Sequence, residues 1–268
     1  MARALAYLAL TLSLMPVQAA AVALGASLAR RLPRVYHGLC TRLLGIEVVV
    51  RGAPTAATPV LFVGNHAGYL DITVLGSQIE GSFVAKSEVA AWPLFGWLAK
   101  LQRTVFIERR RRHAAEQRDE IGRRLEAGDR LILFPEGTSG DGIRVLPFKS
   151  ALFAVAERRV HGRPLAVQPF SLAYTRLDGL PLGREWRPLV AWYGETAMGA
   201  HMARLLSLGR IRAEVWFHEP VTIDSFADRK ALADHCHRAV ADGLAWANAG
   251  ADAPPRAAAD LPAAPSPA

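Results

Sequence analysis

The stretch that decides the fold is Val60-Leu61-Phe62-Val63-Gly64-Asn65-His66-Ala67-Gly68-Tyr69-Leu70-Asp71. Its first four residues form a short apolar run typical of a buried strand, and Gly64 and Gly68 permit the sharp turn that would end it. On a regular helix, His66 and Asp71 would point about 140° apart. They can meet only if the segment turns from a strand into a helix, and we predict this turn.

An imidazole beside a carboxylate can activate a hydroxyl group. The carboxylate fixes the imidazole tautomer and stabilises the imidazolium, so the imidazole can take the hydroxyl proton. His66 and Asp71 are therefore a candidate base and its orienting carboxylate. The spacing alone leaves open that His66 only caps the following helix.

A second candidate site comes after the predicted strand Leu131–Phe134, which leads directly into Pro135-Glu136-Gly137-Thr138. Ligand sites in α/β sheets lie at the carboxyl ends of strands. The alternative is an ordinary turn formed by the proline and the glycine.

A third candidate lies in the basic run Arg103–Arg112, which overlaps the predicted strand Thr104–Ile107. An arginine at a strand end can hold a phosphate bidentately. A run of arginines is more typical of a solvated face or of a patch that attracts anions near a membrane. We therefore assign at most one or two of them to a site.

The remaining patterns predict an α/β fold with a mixed central sheet covered by helices. Further short apolar runs predict strands at Glu47–Val50, Phe83–Ala85, Leu165–Val167, Leu189–Trp192 and Arg212–Phe217. Helical patterns cover His113–Glu126, Ala151–Arg159, Met198–Leu208 and Phe226–Ala247.

The N-terminal segment Ala4–Leu28 contains no charged residue and is long enough to cross a bilayer. Pro16 divides it into two stretches, so we expect one kinked span or a helical pair in one leaflet. A cleaved signal peptide and a buried soluble helix are the alternatives. More arginines follow the segment than precede it, which predicts an inner-membrane protein whose main domain faces the cytoplasm.

The composition excludes a disordered chain and a multi-span transporter, because 51% of the residues are hydrophobic and 21% are charged. The formal net charge of +8 attracts nucleic acid, anionic lipid or an acidic partner. We expect no nucleic-acid partner, since the basic residues lack interleaved aromatic side chains and a known module. The two cysteines, Cys40 and Cys236, form no disulfide framework, which favours a reducing cytoplasm.

Four blocks in order resemble the glycerolipid acyltransferases. They are Asn65-His66-x4-Asp71, Phe106-Ile107-Glu108-Arg109, Phe134-Pro135-Glu136-Gly137-Thr138 and Val167-Gln168-Pro169. The resemblance implies that an acyl chain passes from a thioester of acyl carrier protein or coenzyme A directly to the free hydroxyl of a lysolipid. It implies membrane lipids as partners and neither a metal nor an organic cofactor.

The resemblance also implies residue roles. His66 would be the general base, and Asp71 would orient it. Asn65 would belong to the substrate-binding residues and support the loop. The acceptor head group would be held by Arg109, Glu136, Gly137 and Thr138, and the donor side of the site would involve Lys149 and Pro169.

The chain divides into three predicted parts. Residues 1–35 form the membrane helix or helical pair, and residues 36–248 form the domain that resembles the acyltransferases. Residues 249–268, rich in alanine and proline, form a disordered tail.

The acceptor that we predict first is 1-acyl-sn-glycerol-3-phosphate, which would give phosphatidic acid. Three positions depart from the family pattern. Glu108 stands where aspartate is more common, Ala151 stands where glycine is common, and Ser139 stands where an arginine usually contacts phosphate. The alternative acceptor is therefore lyso-ornithine lipid, whose head group has no phosphate. A lysophospholipid hydrolase or transacylase, and an inactive membrane-anchored lipid-binding protein, are further alternatives.

Overall fold

A mixed sheet of eight strands forms the centre of the structure, a computed structural model that describes residues 2–108 and 114–250. In spatial order the strands are β1 (Ile46–Arg51), β10 (Ile211–Phe217), β8 (Ala166–Leu177), β2 (Val60–Gly64), β5 (Arg130–Leu133), β3 (Ser82–Lys86) and β4 (Val105–Ile107), and β9 (Leu180–Pro181) pairs with β8. Strands β8, β2, β5, β3 and β4 run parallel to one another, while β10 is antiparallel to β8 and parallel to β1. The predicted mixed α/β fold is confirmed.

The short strands β6 (Arg159–Val160) and β7 (Arg163–Pro164) form a separate hairpin. The helices are α1 (Ala2–Ala23), α2 (Leu28–Leu44), α3 (Leu70–Gln78), α4 (Phe95–Leu101), α5 (Ala114–Glu126), α6 (Met198–Ser207) and α7 (Arg229–Ala249).

The central strands are buried on both faces because helices cover the sheet on each side. Phe62 of β2 and Ile132 of β5 belong to the core cluster that includes residues of α3. Their chain neighbours Leu61 and Leu131 belong to the opposite cluster, which includes residues of α5 and α7. This alternation follows from the two-residue period of strand side chains, and it explains why β2 and β5 are continuous apolar runs.

The N-terminal segment differs from the prediction in where it divides. Helix α1 continues through Pro16, and the chain changes direction at residues 24–27, where Gly25 adopts a φ of +62°. Proline removes one hydrogen-bond donor, but here it does not end the helix. Among the described residues, α1 is the one helix long and apolar enough to cross a membrane. Helix α2 runs across the predicted boundary at residue 35.

Two predicted elements have a different conformation. The predicted strand Leu189–Trp192 is wrong: a 3-10 helix covers Arg184–Leu189, and the buried residues after it pair with no strand in the described part of the chain. The segment is apolar because it packs in the core, where Val190 is 1% exposed. The predicted helix Ala151–Arg159 is instead a 3-10 helix over Ser150–Glu157.

The last helix begins three residues later than predicted. The side chain of Asp228 accepts hydrogen bonds from the backbone N–H groups of Lys230 and Ala231, both at 2.8 Å, and so caps α7. The predicted tail from residue 251 onward lies outside the described residues.

Candidate active site

The strand-to-helix turn brings His66 and Asp71 together. Strand β2 ends at Gly64, and α3 begins at Leu70, so the four residues between His66 and Asp71 include a turn and do not form a regular helix. Nδ1 of His66 lies 2.7 Å from Oδ2 of Asp71. Because a carboxylate only accepts hydrogen bonds, Nδ1 carries the proton, and the neutral ring has its free lone pair on Nε2.

Asp71 is fully buried, and its two oxygens accept four hydrogen bonds. Oδ2 also accepts from the backbone N–H groups of Ala67 at 2.6 Å and Gly68 at 3.0 Å, and Oδ1 accepts from the hydroxyl of Tyr174 at 2.7 Å. The carboxylate also lies in the first turn of α3, where the helix dipole favours negative charge. Burial of Tyr174 and the neighbouring Asp71 raise the tyrosine pKa well above its usual value, so Tyr174 stays a donor.

The imidazole of His66 is held on a second side by Phe134, the residue that comes after β5. The two rings stack at a centroid distance of 4.1 Å and an interplanar angle of 15°. The His66 side chain is 22% exposed, whereas Asp71 is buried. With Nδ1 bonded to Asp71, Nε2 is the nitrogen available to a substrate.

Glu136 lies close behind this pair and is 3% exposed. Burial raises the pKa of its carboxyl to about 8, although the nearby backbone N–H groups of His66 and Leu146 favour the charged form. Neither carboxyl oxygen has a hydrogen-bond partner of normal geometry among the described residues. Glu136 thus lies beneath the site surface and outside the cavity lining, and the structure does not place it against the acceptor head group as predicted.

The loop after Glu136 folds over the base. Gly137 has a φ of +68°, a backbone conformation that favours glycine, and the flexible side chain of Lys149 packs against it. The backbone N–H of Gly140 donates to the carbonyl oxygen of His66 at 2.7 Å. Thr138 and Lys149 are exposed, and both line the same cavity as His66.

Asn65 and Pro169 lie in the scaffold of the site. Both ends of the Asn65 amide bind the backbone of Leu172 in β8 at 2.8 Å, which ties the turn to the neighbouring strand. Pro169 is buried within β8 opposite Val63 and does not line the cavity. The structure therefore does not place Pro169 beside the acyl chain or the donor, where it was predicted to lie. Arg109 lies outside the described residues.

A cavity of about 920 Å³ extends from His66 to the N-terminal helices. Most of its surface is apolar, and α1, α2 and α4 contribute side chains such as Leu14, Leu32 and Leu98. A long apolar space that ends at a nucleophile-activating histidine suits an acyl chain. Among the described residues, no three His, Cys, Asp or Glu side chains cluster as a metal site would require.

Several cavity residues were not predicted from the sequence. Three of them are Tyr69, Lys86 and Trp192. The hydroxyl of Tyr69 is 2.7 Å from Nδ1 of His201 in α6, and its ring packs against that of Trp192. Lys86 ends a strand beside β4, so its position at a carboxyl strand end was the available signal. Nothing in the sequence around Trp192 indicated that it belongs to the site. Its backbone N–H donates to the carbonyl of Ala67, a residue distant in the sequence that only folding brings close.

Comparisons with known proteins agree with this geometry. An acyltransferase family model matches residues 45–172. The chain is 47% identical to a lyso-ornithine lipid O-acyltransferase from Brucella abortus, over 85% of this chain and 87% of the relative. It is 42% identical to a protein of the same description from Rhizobium meliloti, over 82% of this chain and 77% of the relative.

Two more distant proteins are also similar, one in sequence and one in fold. A 1-acyl-sn-glycerol-3-phosphate acyltransferase from Neisseria gonorrhoeae is 31% identical over 74% of this chain and 73% of the relative. The crystal structure of the 1-acyl-sn-glycerophosphate acyltransferase from Thermotoga maritima superposes with a TM-score of 0.58, at 21% identity over 80% of this chain and 78% of that chain. The chain therefore belongs to the acyltransferase family and is an O-acyltransferase that acts on lysolipids.

Proposed function

We propose that this enzyme acylates the hydroxyl group of lyso-ornithine lipid. The reaction type is inferred from the His66–Asp71 pair. Nδ1 of His66 lies 2.7 Å from Oδ2 of Asp71, which leaves Nε2 available in an apolar cavity. The choice of acceptor is supported by the relatives from Brucella abortus and Rhizobium meliloti. This choice reverses the order of the two acceptors that the sequence motifs favoured.

The reaction follows from the position of the imidazole. Nε2 of His66 takes the proton of the acceptor hydroxyl as its oxygen attacks the thioester carbonyl. The carbon–sulfur bond then breaks, and the imidazolium returns the proton to the departing thiolate. Asp71 holds Nδ1–H and stabilises the imidazolium throughout. Because the acceptor oxygen attacks the thioester directly, no acyl-enzyme is formed.

The cavity wall suits a zwitterionic head group. Ornithine carries a carboxylate and an ammonium group, and the cavity is lined by Lys86, Glu108 and Lys149. We propose that the lysines face the carboxylate and Glu108 faces the ammonium. Thr138 and Ser139 of the loop would contact the amide region, and Arg109 keeps its proposed place beside the acceptor head group. Ser139 supplies no charge for a phosphate.

We propose an inner-membrane location with the sheet domain in the cytoplasm. Helix α1 exposes Leu5, Leu8 and Leu12, which are 65%, 41% and 60% exposed. The exposed apolar surface continues on α2 at Val35, which is 56% exposed. Exposed apolar side chains on adjacent helices fit contact with lipid, and the arginines that follow α1 fit a cytoplasmic location.

The proposed acyl donor is a thioester of acyl carrier protein or coenzyme A. The transfer as written needs a base and a thioester but neither a metal nor an organic cofactor. Full activity after prolonged treatment with a strong chelator would agree with this, and loss of activity restored by one metal ion would contradict it.

An acceptor competition tests the proposed function. Purified enzyme in liposomes receives one labelled acyl thioester, with lyso-ornithine lipid and 1-acyl-sn-glycerol-3-phosphate together, and mass spectrometry separates the products. We expect ornithine lipid to predominate at least tenfold. Phosphatidic acid as the main product would support the second acceptor, which the Neisseria gonorrhoeae relative favours. Release of free fatty acid at the same rate without acceptor would indicate a hydrolase, and no product would favour an inactive lipid-binding protein.

A further inference from the structure

A second cavity, of about 320 Å³, lies at the opposite edge of the sheet from His66. Its walls include Thr58, Gly81 and Gly128, which precede strands β2, β3 and β5 at their amino ends. The first turns of α2 and the two residues after α4, Gln102 and Arg103, complete the wall. The catalytic pair lies beyond the carboxyl end of β2, so this cavity is a separate site.

Arginine side chains converge on one buried carboxylate in this cavity, which we call the arginine pocket. Asp129 is 4% exposed. Its Oδ2 accepts from Nη2 of Arg103 at 2.8 Å and from Nε of Arg124 at 2.5 Å, and Nη2 of Arg30 lies 3.6 Å from Oδ1. Arg130 also lines the arginine pocket.

The arginine pocket has an excess of positive charge. Arg30, Arg103 and Arg130 line it, and the carboxylates among its described lining residues are those of Glu80 and Asp129. Arg124 borders the pocket through its contact with Asp129, and Nη2 of Arg130 donates to the backbone carbonyl of Thr55 at 2.7 Å. The closest acidic contact of Arg30 is 3.6 Å long, and this side chain is 51% exposed. Within the described residues, its guanidinium donates no hydrogen bond, so its N–H groups are available to an anion.

The other arginines are held in fixed positions. The backbone of Arg103 adopts a φ of +60°, which is rare for a residue with a side chain. The guanidinium of Arg124 stabilises this conformation, since Nη1 donates to the carbonyl of Arg103 at 2.9 Å and Nη2 donates to Oγ of Ser82 at 3.2 Å. Positively charged donors that are already oriented lose little entropy when an anion binds.

The elements around the arginine pocket carry exposed apolar side chains. Leu24 and Leu28, just before Arg30, are 81% and 44% exposed. Trp97 of α4, just before Gln102 and Arg103, is 64% exposed, and the ammonium of Lys100 lies 5.5 Å from the centre of its ring. Tryptophan beside basic side chains is typical of the depth of lipid head groups.

We propose that the arginine pocket binds the phosphodiester of an anionic phospholipid, such as phosphatidylglycerol, as a site separate from the catalytic one. Arg30 contributes an exposed guanidinium that donates no hydrogen bond within the described residues, and Arg103 and Arg130 complete the positive wall. The neighbouring apolar surface accommodates the lipid chains. This inference does not depend on which lysolipid is acylated.

Calorimetric titration of the full chain in non-ionic micelles tests the proposal. The probes are dihexanoyl phosphatidylglycerol, dihexanoyl phosphatidylcholine and sn-glycerol 3-phosphate. We compare the natural protein with Arg30→Gln and with Arg31→Gln, which removes the same charge from the next position of α2 but from a side chain outside the pocket. Arg30→Gln loses only the 3.6 Å contact with Asp129. Unchanged transfer activity in zwitterionic micelles would confirm that this variant is folded.

We expect one saturable equivalent of phosphatidylglycerol, bound at least tenfold more tightly than the other two probes. Arg30→Gln should weaken it tenfold or more, and Arg31→Gln less than twofold. Equal weakening by both variants would show diffuse surface attraction and overturn the proposal. Equal affinity for sn-glycerol 3-phosphate would indicate a site for a soluble phosphate ester and would overturn the lipid proposal. Equal affinity for phosphatidylcholine would show that the negative charge of the lipid is not what the pocket recognises.

Discussion

Oδ2 of Asp71 accepts hydrogen bonds from Nδ1 of His66 and from the two backbone N–H groups at residues 67 and 68. The same oxygen thus orients the base and closes the turn that places it. Because the three donors converge on one buried atom, the turn and the tautomer of His66 depend on each other. This arrangement explains why the two residues are separated by four positions.

Asp71→Asn should lower kcat about 10³-fold or more with little change in KM. An amide oxygen at the Oδ2 position can keep the three hydrogen bonds of the turn, but the negative charge that stabilises the imidazolium is lost. Steady-state transfer to lyso-ornithine lipid measures this effect, and retained thermal stability shows that the turn persists. A variant with more than a tenth of the natural kcat would contradict the role assigned to Asp71.

Tyr174→Phe should reduce stability by about 1–3 kcal/mol, because it leaves Oδ1 of Asp71 buried without its donor. We expect a fall in kcat of less than about tenfold, since the contact to His66 is made by the other oxygen. Denaturant unfolding and transfer assays on the same preparation give both values. Unchanged stability would mean that Oδ1 has another donor.

The buried carboxyl of Glu136 should make the enzyme less stable as the pH rises. Its pKa of about 8 in the folded protein exceeds the ordinary value of 4.5, so the folded state binds the proton more tightly. This contribution is fully present below about pH 4.5 and is lost as the pH rises through 8, by up to about 1.4 kcal/mol per unit. Glu136→Gln removes this titration, so its stability should fall less over that range in parallel unfolding measurements. Identical slopes would refute the raised pKa.

Ser139→Arg should shift the acceptor preference towards 1-acyl-sn-glycerol-3-phosphate. Ser139 lines the cavity, and an arginine there can bind phosphate bidentately. We expect the ratio of kcat/KM for 1-acyl-sn-glycerol-3-phosphate to kcat/KM for lyso-ornithine lipid to rise at least fivefold. Ser139→Ala is the control, because it removes the hydroxyl without adding a charge. An equal shift in both variants would exclude a phosphate contact as the cause.

Two glycine substitutions test whether α2 is docked on the sheet domain. At Gly76 of α3, a Cβ would lie 2.4 Å from Cδ2 of His37 in α2, so Gly76→Ala should destabilise the protein by about 1–3 kcal/mol. At Gly38 of α2, a Cβ would meet nothing within 4 Å, and Gly38→Ala should stabilise it by about 0.5–1 kcal/mol. Thermal unfolding compares them. Equal effects would show that α2 and α3 do not pack as described.

The sequence was sufficient for the parts of the site that lie at strand ends. Strands β2 and β5 were predictable as short apolar runs, and their parallel pairing places His66 and Phe134 side by side. The turn at Gly64 was predictable because a histidine and an aspartate at this spacing need one to meet. The residues just beyond β2 and β5 could therefore be assigned to one edge of the sheet.

Other parts depend on contacts between distant residues. Strand β8 is 12 residues long, although a single short apolar run at its start was recognised. The segment Leu189–Trp192 is as apolar as a strand, but Pro188 lies in the preceding 3-10 helix and burial against the site replaces strand pairing. Pro16 was predicted to divide the first helix, because local propensity does not include the packing of α1 on α2 and α4.

The most direct test of the mechanism is the transfer rate of His66→Ala beside that of the natural enzyme, at equal protein in the same liposomes. We predict a loss of at least about 10³-fold in the formation of ornithine lipid, because no other base reaches the acceptor hydroxyl in the proposed reaction. Liposome binding should be unchanged, and the variant should stay folded because Asp71 keeps its three other hydrogen bonds. A variant that transfers the acyl chain within tenfold of the natural rate would contradict the mechanism.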